Sequence, residues 1–202
     1  VGLLGFKVLS LLKYPRALPR NRQMLESIGM ELIPMSTNFR ELPADWEDSH
    51  GTALASCMAL FQRKFSTGLM SSSLPYDLFG IRWGSLPWTD HLLSSGAFAV
   101  RCDGAESDRL SKARAVHEWP EAIRHMRVCW EGPDKDANCC RCEKCVRTIL
   151  TFRIVGGARP ECFAQDVSDD QIRSVRLHQP VVREALRRLH RQAMAAGLSR
   201  KE

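Results

Sequence analysis

The chain's 202 residues, 44% hydrophobic and 26% charged, suffice for one globular domain with a buried core and a small metal-stapled appendage. A formal charge of +6 and a pI near 9.0 suit an anionic ligand such as nucleic acid or a polyphosphate. Four arginines of that excess crowd one terminal stretch (Arg183, Arg187, Arg188, Arg191), where a solvated helix face accounts for them, so nucleic acid is a secondary candidate. The opening VGLLGFKVLSLL is too short to cross a bilayer and has no small-residue cleavage site; no membrane segment and a cytoplasmic location are expected. Its abrupt start on valine suggests a fragment.

In chain order, Arg20 to Met30 is expected as a short helix closed by Gly29, and Glu31 to Thr37 as an irregular or edge strand because Pro34 interrupts it. Asn38 to His50 is a polar loop. Gly51 to Gln62 has the helical stripe Leu54, Met58, Phe61 with small alanines for packing on a sheet, and Phe65 to Met70 is a strand delivering Ser71, Ser72 and Ser73. From Leu74 to Ser95 runs a loop rich in Pro, Gly, Ser and Trp, carrying Tyr76, Asp77, Trp83, Trp88, Asp90 and His91. Its length and aromatic content point to a substrate or nucleotide loop, or to tryptophans capping a sheet edge. Ala97 to Cys102 is a second strand, followed by a turn at Asp103 to Glu106 and a helix from Ser107 to Glu118 that stops at Trp119-Pro120.

This alternation implies a parallel α/β sheet, whose ligands bind beyond the carboxyl ends of the strands. Ser71, Ser72, Asp77, Asp103 and Glu106 fall at that edge, and Arg109 and Lys112 follow on one helical face. The cations could hold phosphate, or could simply pair with the two carboxylates. Further on, Glu121 to Arg127 is a short helix. Glu143 to Val155 is a longer one with the stripe Val146, Ile149, Leu150, Ile154. A short helix lies near Asp169 to Leu177, and Pro180 to Ala196 forms a last helix turning Val182, Ala185, Leu186, Leu189 and Ala193 inward.

Five of the eight cysteines fall between Cys129 and Cys145, in CWEGPDKDANCCRCEKC. Cys139, Cys142 and Cys145 are spaced C-x-x-C-x-x-C, and Gly132, Pro133 and Asp134 can turn the chain so that Cys129 joins them. Four soft anionic sulfurs meeting at one point suit a tetrahedral zinc ion; such a closed set leaves no position for substrate, so the metal would be structural. Cys140 stands where a glycine would suit the tight turn. Disulfides would need an oxidising compartment, and the three-cysteine spacing also occurs in iron–sulfur proteins, although the further C-x-x-x-C-P of the bacterial ferredoxins is missing.

With Arg127-Val128-Cys129-Trp130 and Asn138-Cys139-Cys140-Arg141-Cys142-Glu143-Lys144-Cys145-Val146-Arg147-Thr148, the chain resembles a branch of the PP-loop ATP pyrophosphatases, the adenine nucleotide alpha hydrolases. The stretch is similar to the knuckle of the 7-cyano-7-deazaguanine synthase family, where a cysteine precedes C-G-x-C-x-x-C and four cysteines bind zinc. Cys129, Cys139, Cys142 and Cys145 match those positions, and Cys140 replaces the glycine. The resemblance extends over about residues 22–163, through His50-Gly51, Ser71-Ser72-Ser73, Tyr76-Asp77, Gly84-Ser85, Asp103 to Glu106, Arg109 and Lys112. The superfamily's S-G-G-x-D-S phosphate loop does not occur in these residues.

The resemblance implies an α/β fold with a parallel sheet flanked by helices, Rossmann-like and incomplete. The expected division is a partial PP-loop-type domain (1–128), a zinc knuckle with its docking helix (129–163) and a helical segment (164–202). It implies that the complete enzyme uses ATP and Mg²⁺ to adenylate a small-molecule or nucleobase-type substrate, which Ser71, Ser72, Asp77, Asp103, Glu106, Arg109 and Lys112 would line. A homodimer is open. A zinc-ribbon-like module docking nucleic acid or protein through the basic last helix is the alternative from another class; that helix lacks the interleaved aromatics such binding favours.

Overall fold

The computed structural model describes residues 17–198 except 79, 130 and 135; the opening apolar run lies outside the described residues. It is mixed α/β, with seven α-helices and a two-stranded parallel sheet among the described residues. Two compact units are present. One is residues 28–108, and the other combines residues 17–27 with 109–198.

In the first unit, residues 31–37, expected as a strand, take no regular structure. Pro34 has no N–H to give a ladder, and the stretch has no strand partner among the described residues. The following helix, α2 (Trp46–Ala59), starts five residues before the expected Gly51 and ends short of Gln62. The side chain of Asp45 caps it by accepting from the Glu47 N–H at 2.7 Å, and Glu47 and Asp48 place negative charge in its first turn. Gly51 is tolerated mid-helix for a packing reason: a Cβ there would lie 1.9 Å from the Gly84 carbonyl oxygen.

Strands β1 (Thr67–Ser71) and β2 (Ala99–Asp103) pair in parallel, with Thr67 opposite Ala99 and Ser71 opposite Asp103. The expected strands are therefore present, displaced by one or two residues. The connection between them is the long loop with one 3-10 turn at Asp90–Leu93. Ala55 and Met58 of α2, with Met70, Phe98 and Val100, form this unit's core. Gly68 sits where a Cβ would press to 2.7 Å on the Phe98 ring. The parallel sheet that the alternation implied is this pair among the described residues, without the irregular or edge strand expected at 31–37.

The second unit is helical. Alongside α1 (Ala17–Glu26) it contains α3 (Arg109–His117), α4 (Pro120–His125), α5 (Glu143–Ile154), α6 (Asp169–Arg173) and α7 (Pro180–Ala195). α4 packs on α1 and α3, and α5 on α3 and α7. Pro120 and Pro180 start α4 and α7, where a missing N–H costs nothing, and a Ser168–Gln171 capping box starts α6. α7 turns Leu189 fully inward, with Val182, Ala185, Leu186 and Ala193 half-buried and Arg183, Arg187 and Arg191 on the outer face. The unit's core joins Val146 and Ile149 of α5 to Phe163, Val167 and four cysteines.

Candidate metal centre

The loop from α4 to α5 and the first turn of α5 bring four sulfurs together. The Sγ atoms of Cys129, Cys139, Cys142 and Cys145 lie within 4.8 Å of one another, with Cys139 to Cys145 and Cys142 to Cys129 both at 3.9 Å. A tetrahedral zinc with Zn–S near 2.3 Å requires sulfurs about 3.8 Å apart, so the set fits with a small contraction. A disulfide needs about 2 Å, and all eight cysteines are free. Cys129, Cys142 and Cys145 are buried and Cys139 is partly exposed, which leaves a closed site without room for a substrate.

Local folding explains why the sulfurs converge. Cys142 is the N-cap of α5 and Cys145 sits in its first turn, so both thiols face the positive end of the helix. The Gly132 N–H donates to Cys129 Sγ and the Cys142 N–H to Cys139 Sγ, each at 3.3 Å. Gly132 must be small: a Cβ there would meet Cys139 Cβ at 2.9 Å and Cys129 Sγ at 3.4 Å. Cys140 adopts φ 60°, the left-handed conformation that its glycine-like position demands. It points its thiol at the Asn138 carbonyl (3.4 Å), away from the four-sulfur set.

Without an ion the thiols of Cys139, Cys142 and Cys145 are not equivalent. A hydrogen bond from the Cys145 thiol, then the Cys145 backbone N–H and the neighbouring thiols, hold Cys142 down to about 5 against its burial, while that same thiol hydrogen bond and burial push Cys145 far up. Burial likewise raises Cys139. A dication is what would turn all four into thiolates at neutral pH. Cys162 is half-buried nearby, and burial pushes its thiol up to about 12; its sulfur is not part of the four-sulfur group.

Asn138 is the residue that the spacing of cysteines does not reveal. Its Oδ1 accepts from the N–H groups of Val128 and Cys129 at 3.0 and 3.2 Å, and its Nδ2 donates to the carbonyls of Met126 and Cys162 at 2.9 and 3.1 Å. One buried amide thereby fixes both ends of the loop that presents Cys129. The only hint in the sequence is an amide side chain immediately before Cys139, in a stretch too short to form a helix.

The residues expected to line a substrate site fall in both units. Ser71, Ser72 and Asp103 gather at the carboxyl end of the strand pair, where Ser72 N–H donates to the Asp103 carbonyl at 2.8 Å. The Tyr76 N–H donates to the Ala105 carbonyl at 2.9 Å, drawing the turn that bears Asp77 alongside the one that bears Glu106. Asp77, Asp103 and Glu106 are exposed there, while Ser72 is buried. Arg109 and Lys112 belong to α3 in the second unit, and the charges acting on Arg109 are Arg147 and Glu143 of α5.

The long loop divides its aromatics. Trp83 packs edge-on against His50 of α2 at 5.2 Å, a structural contact; Tyr76 and Trp88 meet at 5.1 Å and remain exposed. Asp90 is 1% exposed and accepts from the Ser85 hydroxyl (2.9 Å) and the Leu86 N–H (3.0 Å), with burial holding its pKa above the usual carboxylate range.

The chain matches no protein-family model, and no curated protein and no solved structure shows significant similarity to it. No helix among the described residues is long and apolar enough to cross a membrane.

Proposed function

We propose that Cys129, Cys139, Cys142 and Cys145 hold a structural zinc ion, and that the chain is the carboxyl-terminal portion of a PP-loop-type, Rossmann-like ATP-dependent enzyme. The observation that carries the metal half is the four-sulfur cluster, closed by burial and fed by backbone N–H donors. Zinc would contribute folding free energy there and no chemistry, since four thiolates complete its coordination. The enzyme half rests on the resemblance of the cysteine stretch. It draws support from the parallel strand pair, which gathers hydroxyls and carboxylates at its carboxyl end.

In the complete enzyme, ATP and Mg²⁺ would adenylate a small-molecule or nucleobase-type substrate with release of pyrophosphate, and an incoming nucleophile would then displace AMP. Ser71, Ser72, Asp77, Asp103 and Glu106 would contact substrate. The alternative of a nucleic-acid module is weakened by α7, where Glu184 binds both Arg188 (3.1 Å) and Arg191 (3.3 Å) and so removes part of the basic face.

The tests are metal analysis and ATP turnover. The purified protein is expected to be colourless with one zinc per chain; a brown protein containing iron and sulfide would replace zinc by a cluster. The product of the full reading frame is expected to convert ATP to AMP and pyrophosphate. These 202 residues alone, lacking the phosphate loop, are expected not to. Turnover by the isolated chain, or none by the full product supplied with a cell-extract pool of small molecules, would overturn the enzyme reading.

A further inference from the structure

Between Arg176 and Leu198 the chain carries five arginines and one carboxylate, Glu184, a net charge of +4. α7 packs on α5 and turns Leu189 inward, which leaves the opposite arc of the helix in solvent. At about 100° per residue, Arg183, Arg187, His190 and Met194 fall within about 60° of one another on that arc, and all four are exposed. They form a single ridge along the helix. At its start Arg183 Nη1 donates to the Leu177 carbonyl at 3.5 Å, and past its end the Leu198 N–H closes the helix on the Ala193 carbonyl at 3.0 Å. Leu177, Met194 and Leu198 are each about half-exposed, so apolar side chains stand at both ends of the cationic stretch.

Glu184 answers only one flank of this ridge, where it binds Arg188 and Arg191. Arg183 has no carboxylate partner, and Arg187 no hydrogen bond or ion pair, among the described residues. A solvated face accounts for exposed arginines but not for apolar side chains gathered at both ends of them. Nucleic acid would reward the cations alone, and it would set phosphates against those apolar ends. A protein partner is limited by area. The 16 residues of α7 make a face about 24 Å long and about 10 Å wide, roughly 240 Å², against about 800 Å² per partner in a stable interface. A lipid bilayer needs no matching groove: mobile anionic headgroups collect around the arginines, and the interface takes up the apolar side chains.

We infer that the outer face of α7, with Arg183 and Arg187 between Leu177 and Met194, docks on the surface of an anionic lipid bilayer. The helix lies along the headgroups with its fold intact, and the guanidinium forks of Arg183 and Arg187 each hold a lipid phosphate by paired hydrogen bonds. Leu177, Met194 and Leu198 enter the boundary between headgroups and acyl chains. The contact needs no membrane-spanning segment, and it does not depend on the ATP-dependent reading above.

The full chain is co-sedimented at physiological ionic strength with vesicles of phosphatidylcholine, and with vesicles of phosphatidylcholine mixed equally with phosphatidylserine. Binding to the mixed vesicles alone is expected, and it should weaken as salt is raised. Arg183→Gln and Arg187→Gln should each weaken it about fivefold. Neither side chain holds a carboxylate, so zinc content and circular dichroism should not change. Arg63→Gln removes an equal charge from an exposed position in the first unit and should leave binding as it is. Met194→Ser should weaken binding at high salt as well as low, because an apolar contact is not screened. Failure to bind the mixed vesicles, an equal loss with Arg63→Gln, or no effect of Met194→Ser would overturn the proposal. So would tighter binding of duplex DNA or of polyglutamate through the same two arginines, which would give the face to another class of partner.

Discussion

Cys142→Ser separates a metal centre from a mere cluster of thiols by the sign of its effect. Cys142 occupies the N-cap of α5 at φ −72°, ψ 163°, a conformation in which serine is among the best capping residues. If no metal binds, the hydroxyl caps the first turn and the variant gains about 1 kcal/mol. If zinc binds, the change removes one of four ligands. Bound zinc contributes about 4 kcal/mol when its free concentration is about a thousand times Kd, and that contribution disappears when Kd rises past the free concentration. The loss exceeds the cap's gain by about 3 kcal/mol. For a unit of about 100 residues this lowers the melting temperature by about 12–24 °C. Zinc is measured by mass spectrometry on gel-filtered protein, and melting by circular dichroism. Cys162→Ser, outside the four-sulfur set, is the control and should keep one zinc at a cost of about 1 kcal/mol. A Cys142→Ser protein that melts at or above the parent temperature with its zinc retained would refute the assignment.

Asn138→Ala removes four backbone hydrogen bonds from a buried position and should cost about 3–4 kcal/mol, weakening zinc retention against a chelator; unchanged chelation kinetics would show that the loop is held otherwise. Gly51→Ala and Gly84→Ala each push a methyl into backbone, at 1.9 Å from Gly84 O and 2.7 Å from Glu47 O. Either should destabilise the first unit by about 2–3 kcal/mol in urea unfolding while leaving zinc bound. Asp90 holds its proton more tightly folded than unfolded because burial raises its pKa. Its contribution is therefore fully present below the ordinary value of about 3.9 and fades as pH rises through the folded value. The stability of the parent relative to Asp90→Asn should consequently be greater at pH 4 than at pH 7, and the opposite trend would contradict the shift.

Helices were legible wherever their ends carry chemical punctuation. α7 begins at Pro180 and runs to within one residue of the expected end, and its buried stripe is the one its periodicity predicts. α2 was misplaced because alanines and leucines drew the reading toward Gly51, while the capping Asp45 and the acidic first turn lay in what was taken for a loop. The strand expected at 31–37 failed for a different reason. A short apolar run states that a segment can be extended, but only a partner strand makes it a strand, and partners are not local. The four-sulfur group was legible because its cysteines recur at the short spacing that a metal site would impose. Asn138 was not, because its partners at 126, 128, 129 and 162 are brought together only by the fold. Arg109 was read with Asp103 and Glu106 because they are close in sequence, whereas the charges that act on it are Arg147 and Glu143 of α5, which only the fold brings near.

The second unit's core explains why this stretch tolerates a cysteine where a glycine would relieve strain. Four of its eight buried members are cysteines, and only Val146, Ile149, Phe163 and Val167 are conventional hydrophobes. Left-handed backbone at Cys140 costs about 1–2 kcal/mol. Its side chain, 3% exposed, returns a comparable amount by filling that small core. Glycine there would relax the backbone and leave a void, so the two residues come out nearly even. An ion held by the four-sulfur group could not be traded in the same way, because three of its proposed ligands, Cys129, Cys142 and Cys145, are also among the eight buried members of that core. Metal loss should therefore loosen the docking of α5 on α3 and α7 along with the cysteine loop.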